Sequence, residues 1–413
     1  MIKASVLSET ISRQRDQLLR ADIGYPREVL PLLPHDLPNH ALIISGIRRS
    51  GKSTLQRQLI HQSQSPFHFV NFDTPALLHF DAYDFQLLDE LMGTPKPETL
   101  YFDEIQNVEG WEVYVREKLD QGFRVVVTGS NASLLSREMG TRLTGRHITR
   151  ELFPFSLMEF CGFKGIRADS KALDQYLRTG GFPEYLKRPE AEILSTLLND
   201  ILYRDIAVRY QIRNVKSLLQ LVTFLATNTA KPVSATKLTR VLELKSTATI
   251  LEYLSHLENA WLIHLVPKFS FSYKAQLANA RKVYFADPAL QQTITGSFSD
   301  DHGRRLETMV FWELRRKHKQ VYYFNENGHE CDFVVMDQKQ PKALIQVCHT
   351  LHHDNETREV SGLLEAMKHL DTRNGMLLTF DQKDTIVQGN YRIDVVPVYE
   401  WLSNRPIVQS SNC

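Results

Sequence analysis

Residues 46–53 read GIRRSGKS, set between the apolar run ALIIS at 41–45 and a helical stretch that opens at Lys52. The spacing is G-x-x-x-x-G-K-[ST] without a gap, and each fixed position has a physical reason. Gly46 and Gly51 free the backbone to turn its N–H groups inward, where they meet phosphate oxygens. Lys52 reaches the outer phosphates as a compact positive charge. Ser53 offers a hydroxyl to Mg²⁺. The helix begun at Lys52 aims its positive end at the same anion. Arg49 and Ser50 complete the loop and are expected to line the phosphates with Gly46, Gly51, Lys52 and Ser53.

Working outward, FHFVNFD (67–73), TLYFDE (99–104) and RVVVTGSN (124–131) read as further strands. Residues 75–92 and the segment WEVYVREKLDQG read as helices between them. Strands alternating with helices predict an α/β fold, a parallel sheet with helices on both faces. Asp103 and Glu104 end an apolar strand, so they sit at the carboxyl edge where open α/β sheets bind ligands. Asp103 is expected to hold Mg²⁺ with Ser53, and Glu104 to prepare the attacking water. Ser130 and Asn131 follow the fourth strand, where a polar group can meet that water or the last phosphate. Asn131 is equally a helix cap before ASLLSREM, and the two roles are compatible.

The character of the chain changes near residue 155 and again near 300. Residues 156–230 are mainly helical around a loop at GGFPE (180–184). SATKLTRVLEL and STATILEYLSHLENAWLI then give two short helices, followed by a hairpin-like pair ending at KVYFAD, the order of a winged helix. Lys231, Lys237, Arg240 and Lys245 surround those helices as candidate DNA contacts, and Ser246, Thr247 and Thr249 open the second. Glu243, Glu252 and Glu258 interleave with the bases and weaken that reading. In the last block Glu307 lies on a helix, Asp332 in the strand CDFVV, and Gln346-Val347-Cys348 at the end of the next strand. That layout resembles a restriction-endonuclease-like nuclease fold. Its metal chemistry needs an acid and a lysine where Gln346 and Cys348 stand, so nuclease activity is not expected. Cys331, Cys348, His349, His352 and His353 match no zinc-ligand spacing. The expected domains are a P-loop ATPase domain over 1–155, with a helical segment at 1–40; a helical region with a winged-helix-like domain over 156–299; and a small α/β domain like a degenerate nuclease over 300–413.

GIRRSGKST, LYFDEIQNVEGWE, VVVTGSNASLL and LTGRHITRELFPFSLMEF occur in that order, followed by GGFPEYL. Together they resemble the bacterial and archaeal AAA-type ATPases whose C-terminal half carries a DUF4143 region. The resemblance implies an additional-strand P-loop core that hydrolyses ATP with Mg²⁺. It implies nucleotide ligands at Gly51, Lys52, Ser53 and Thr54, a second motif at Asp103 and Glu104, and a sensor at Ser130 or Asn131. The family's Gly-Arg pair falls on Gly145 and Arg146. Arg146 could act as an arginine finger on a neighbour's ATP, with Arg142 as its rival, and a finger supplied in trans implies a homo-oligomer.

The 413 residues suggest two or three domains. Lys and Arg total 49 against 48 Asp and Glu, a formal balance of +1, which excludes a polybasic tail or an acidic disordered chain. The cysteines form no CxxC pair, the N-terminus has no signal-peptide core, and no run suits a transmembrane helix, so a cytoplasmic protein away from membranes is expected. The expected function is a Mg²⁺-dependent ATPase that couples turnover to rearrangement of its C-terminal domains, with DNA as partner. The alternatives are an ATP-dependent switch that binds a protein partner, and an ATPase-coupled nuclease.

Overall fold

The computed structural model describes residues 2–34, 37–63, 65–93, 98–132, 143, 145–243, 246–296 and 301–403. The chain divides into two compact units, one of residues 1–153 with 259–261, the other of residues 154–258 with 262–413.

In the first unit β1 (Ala41–Ser45), β2 (Phe67–Asn71), β3 (Thr99–Asp103), β4 (Arg124–Gly129) and β5 (His147–Glu151) form one sheet in the order β2-β3-β4-β1-β5. Every pairing is parallel, with Leu42 opposite Val126 and Ala41 opposite His147. β4 thus separates β1 from β3, the additional strand that the family resemblance implies. Side chains alternate between the faces of a strand. Ala41 and Ile43 therefore join Val70, Leu100, Phe102, Val125 and Val127 on one face. Leu42 and Ile44 join Phe67, Phe69, Tyr101 and Leu152 on the other. Helix α1 (Ala4–Arg20) gives Leu7 to the first core and Leu18 to the second. Helix α2 (Lys52–Ser63) covers the second face through Leu55 and Leu59. Helices α3 (Asp84–Met92) and α4 (Trp111–Asp120) cover the first through Leu88, Trp111, Val115 and Leu119. A sheet buried on both faces explains why β1 reads as an unbroken apolar run.

Two expectations need correction. Residues 75–92 are not one helix: a 3-10 turn at Pro75–Leu77 precedes α3. Asp84 Oδ2 accepts from the N–H of Asp81 at 3.1 Å, and Asp81 Oδ1 from that of Tyr83 at 2.9 Å. These local bonds compete with the helical ladder. The structure also adds a fifth strand to the four expected. HITRE has no apolar run because β5 lies at the sheet edge with every residue half-buried.

The second unit begins with helices Leu157–Lys164, Ser170–Thr179, Pro183–Lys187 and Ala191–Asn199, the last continuing in π-helical turns to Val208. Helices Val215–Thr227, Ala235–Val241 and Thr247–Asn259 follow. β6 (Pro232–Val233), β7 (Ile263–Pro267) and β8 (Arg281–Phe285) form an antiparallel sheet in the order β6-β8-β7. Helix His302–Arg315 then leads into a mixed sheet of β9 (Gln320–Glu326), β10 (His329–Asp337), β11 (Gln340–Val347), β12 (Asn374–Thr379), β13 (Asp384–Gln388) and β14 (Tyr391–Pro397). Its order is β13-β14-β12-β11-β10-β9.

The GGFPE segment has a packing reason. A Cβ on Gly181 would lie 2.3 Å from the Phe155 carbonyl oxygen, and one on Gly180, at φ +64°, would lie 2.0 Å from Asp287 Oδ1. Asp287 accepts from the N–H groups of Gly181 at 2.7 Å, Ala289 at 2.9 Å and Leu290 at 3.2 Å. It therefore clamps the glycine turn and caps the helix Pro288–Thr295 with one carboxylate.

Burial raises the Asp287 carboxyl from 3.8 to about 6, against the pull of those three donors. A carboxyl raised by folding favours the protonated fold. Its contribution is complete below 3.8 and is lost as pH rises through about 6. Between pH 7.5 and pH 4.5 the unfolding free energy of the wild type should gain roughly 2 kcal/mol relative to Asp287→Asn. Urea titrations at both pH values measure it, and a pH-independent difference would refute this account.

Candidate active site

The phosphate loop leaves β1 at Ser45 and enters α2 at Lys52. Gly51 takes φ +99° and Arg49 φ +61°, so the turn uses the left-handed region twice. Gly46 is needed for a different reason from the one expected. Its φ is not positive, but a Cβ there would lie 2.0 Å from the Leu152 carbonyl oxygen. The chain leaving β5 crosses directly over this glycine, and Leu152 N–H bonds the Ser45 carbonyl at 2.8 Å. Beneath the loop, buried Arg27 donates to the carbonyls of Ser50 at 2.8 Å and Phe153 at 2.7 Å. No sequence signal pointed to Arg27.

Lys52 is 4% exposed and donates to the carbonyls of Gly46 at 3.0 Å and Ile47 at 3.1 Å. Glu104 Oε1 stands 3.8 Å from its Nζ. Asp103, the last residue of β3, is buried, and its carboxylate accepts from the hydroxyls of Thr128 and Ser53. Burial, then the neighbouring Glu104, raises the Asp103 carboxyl above its ordinary value. Glu104 follows in a left-handed conformation at φ +53°. Its Oε2 accepts from Ser130 Oγ at 3.1 Å and from the Gln106 amide. Burial alone would raise this carboxyl, but Lys52, Gln106, Arg48 and Ser130 together hold it below the usual range. Adjacent carboxyls are thus pushed apart, with the charge on Glu104 favoured.

The other expected residues are placed as follows. Ser50 is buried and its Oγ has no hydrogen-bond partner among the described residues, while Arg49 and Ser53 are exposed. Thr54 lies in the first turn of α2, and a Cβ on Gly24 would come within 2.7 Å of its methyl group. It is Ser130 that touches Glu104. Asn131 is buried, and its backbone carbonyl accepts from Ser45 Oγ at 3.1 Å. Arg146 pairs with Asp120 at 2.6 Å. Arg142 and Lys245 lie outside the described residues. Lys231, Lys237 and Arg240 are exposed, the last two on one face of the helix Ala235–Val241. Glu258 does not offset them on the surface: it is half-buried and accepts from Leu265 N–H at 2.9 Å.

The donor set suits a nucleotide with Mg²⁺. Mg²⁺ takes one or two hard protein oxygens and fills its remaining positions with water and phosphate. The Ser53 hydroxyl and Asp103 carboxylate, already in contact, could supply that pair. Ser50 Oγ, in the same loop, is a polar group without a hydrogen-bond partner among the described residues. Among the described residues no cluster of three or more His, Cys, Asp or Glu is arranged to hold a metal.

In the second unit Glu307, Asp332 and Gln346 do come together, but around a residue that the sequence reading passed over. Lys282 of β8 is fully buried, with its Nζ 3.0 Å from Glu307, 2.6 Å from Glu330 and 2.8 Å from Asp332. Burial would lower its pKa, yet Asp332 and Glu307 outweigh that and hold it well above the ordinary value. Burial and Asp332 push Glu307 up to about 8, so one carboxyl of the cluster keeps its proton at neutral pH. Gln346 accepts from Asp332 N–H at 3.1 Å and donates to Glu359 at 2.6 Å. The signal was present: a lysine inside the apolar run KVYFA of β8 cannot reach water, so it needs buried acids.

A family model described as an AAA domain matches residues 38–161. A second, a domain of unknown function (DUF8612), matches residues 170–301, where the resemblance had implied DUF4143. An uncharacterized protein of Methanocaldococcus jannaschii is 32% identical over 88% of each chain. An uncharacterized protein of Haemophilus influenzae is 31% identical over 87% of this chain and 93% of its own. Among solved structures, a Walker-type ATPase of Pyrococcus abyssi aligns with a TM-score of 0.46 at 16% identity, over 66% of this chain and 96% of that one. The Aeropyrum pernix ORC1 protein, solved in complex with DNA, aligns with a TM-score of 0.31 at 12% identity, over 71% and 91%.

Removing one partner of a buried ion pair leaves the other charge without compensation, at a cost of about 3–5 kcal/mol. Lys282→Met should therefore lower unfolding free energy by about that amount. Denaturant melts of the full chain measure it, and a loss under about 1 kcal/mol would show the cluster to be dispensable.

Proposed function

This chain belongs to a family of AAA-domain proteins with members in Methanocaldococcus jannaschii and Haemophilus influenzae, and on that premise we propose that it is a Mg²⁺-dependent ATP hydrolase. The observation that carries the reading is the contact set of Lys52, Ser53, Asp103 and Glu104 at one carboxyl edge of a parallel sheet. Lys52 exchanges the Gly46 and Ile47 carbonyls for phosphate oxygens, while the N–H groups of residues 49–54 cradle the rest of the triphosphate. Ser53 and Asp103 would hold Mg²⁺, which when bound neutralises charge on the β- and γ-phosphate oxygens. Glu104, kept ionised by Lys52 and its hydrogen-bond donors, takes a proton from water as the water oxygen bonds to the γ-phosphorus. The bond to the bridging oxygen breaks, and ADP and phosphate leave. Ser130 is the sensor that touches Glu104, with Asn131 set behind it against Ser45.

We read Arg146 as the arginine finger. It would leave Asp120 to meet the ATP of a neighbouring copy in a homo-oligomer closed as a ring. The helices Ala235–Val241 and Thr247–Asn259 with the β7–β8 hairpin are read as a winged helix, and the last sheet as a nuclease-like scaffold. Exposed Lys231, Lys237 and Arg240 support DNA as the partner, with hydrolysis driving rearrangement. No helix among the described residues is long and apolar enough to cross a membrane. A second reading, a nucleotide switch for a protein partner, is favoured by one observation. Phe271, Tyr273 and Leu277, in the segment joining β7 to β8, are 77%, 73% and 66% exposed. Cleavage of DNA is not part of the proposal, because Lys282 occupies the carboxylates that a metal would need.

Glu104→Gln should bind ATP within about threefold of the wild type and lose at least about 100-fold in turnover. Lys52→Ala should lose ATP binding itself. Normal turnover by Glu104→Gln would remove the water-activating role. Turnover should also rise with single-stranded, duplex or branched DNA, and the rise should shrink at higher salt. DNA-independent turnover at both salt concentrations would favour the protein-partner reading.

A further inference from the structure

Gln106 lies in the DEIQ stretch, two residues beyond Glu104, and the reading above gives it no task. Its position is fixed by the backbone. Glu104 adopts φ +53°, and a 3-10 turn follows over Ile105–Asn107. Asn107 N–H bonds the Glu104 carbonyl at 3.1 Å, and fully buried Ile105 anchors the turn in the sheet's core. This fold-back brings the Gln106 side chain onto the Glu104 carboxylate. The amide nitrogen donates to Glu104 Oε2 and lies 3.5 Å from Ser130 Oγ. The amide cannot be turned the other way, because its oxygen would then face an ionised carboxylate, acceptor against acceptor.

That orientation leaves Gln106 Oε1 buried, with no hydrogen-bond partner among the described residues. A buried amide oxygen without a partner costs about 1–3 kcal/mol, and such groups are rare unless something else meets them. Oε1 is covalently tied to the group that holds Glu104, so whatever meets it stands beside the catalytic carboxylate.

We propose that Gln106 is a catalytic residue of this site, whose Oε1 accepts a hydrogen bond from the attacking water while its Nε2 holds Glu104 in place. The proposal rests on the ATPase reading and deepens it. The water donates one hydrogen to Glu104, which takes that proton, and the other to Gln106 Oε1, which keeps it only as a hydrogen bond. With both hydrogens directed, an oxygen lone pair points at the γ-phosphorus. The new P–O bond forms as the bond to the bridging oxygen breaks. ADP leaves with that electron pair, and the second hydrogen stays on the phosphate. A carboxamide suits this task because it presents a donor and an acceptor together without competing for the proton.

The test uses the full-length protein and two variants. Gln106→Met keeps the volume without either polar atom, and Gln106→Glu keeps the shape but replaces the donor with a second acid. Gln106→Met should melt no lower than the wild type, and KM and ATP affinity should stay within about threefold in both variants. Their kcat should fall about 100-fold, the usual consequence of a misplaced reactant. A second readout needs no turnover: trapping of ADP by aluminium fluoride, which mimics the transferring phosphoryl group, should weaken in both variants while binding of ADP alone does not. Wild-type kcat and wild-type trapping in Gln106→Met overturn the proposal. So does a parallel loss of ATP affinity and thermal stability, which would make Gln106 a packing residue. Absence of both ATP binding and turnover in the wild type would instead overturn the ATPase reading, and this proposal with it.

Discussion

A buried ammonium resting on neutral carbonyls is the interaction around which the first unit is arranged. Taking the charge of Lys52 out of water costs several kcal/mol, and the carbonyls of Gly46 and Ile47 with nearby Glu104 offset that cost. The consequences spread through the unit. The loop must curl tightly enough to aim two carbonyls at one nitrogen, so Gly51 and Arg49 take positive φ. The chain leaving β5 must pass over the loop, so Gly46 can carry no Cβ. Arg27 then ties the loop to that crossing chain through Ser50 and Phe153.

The second unit poses the same problem and solves it differently. Lys282 is as deeply buried as Lys52, but its partners are three acid side chains. Neutral carbonyls hold an ammonium loosely enough to release it to a phosphate. A cluster of buried acids that shares its charge with the ammonium in a low-dielectric interior does not. One lysine is therefore held mainly by neutral partners and the other by acids.

Much of the candidate site was legible because its information is local. GIRRSGKS and the FDE end of TLYFDE are contiguous stretches whose roles follow from strand direction and residue type. The unbroken apolar runs of β1, β3 and β4 likewise reported burial on both faces. Legibility failed where partners are distant in sequence. Arg27 and Thr128 reach the site through folding, and nothing in their own surroundings marks them. Glu258 counted as a surface acid until the hairpin covered it. β5 escaped notice because an edge strand needs no apolar pattern.

By itself the sequence determined that a strand, a glycine-rich turn and a helix succeed one another, and that a lysine, a hydroxyl and two carboxyls stand at their junctions. Those are properties of short stretches, set by backbone freedom and hydrophobic periodicity. Only the tertiary structure decided the state of each charge. Lys52 sits on carbonyls, Glu104 remains ionised beside a raised Asp103, and Lys282 is held by acids. The reason is that electrostatic energy depends on distance and burial, and both are established only when segments far apart in the chain meet.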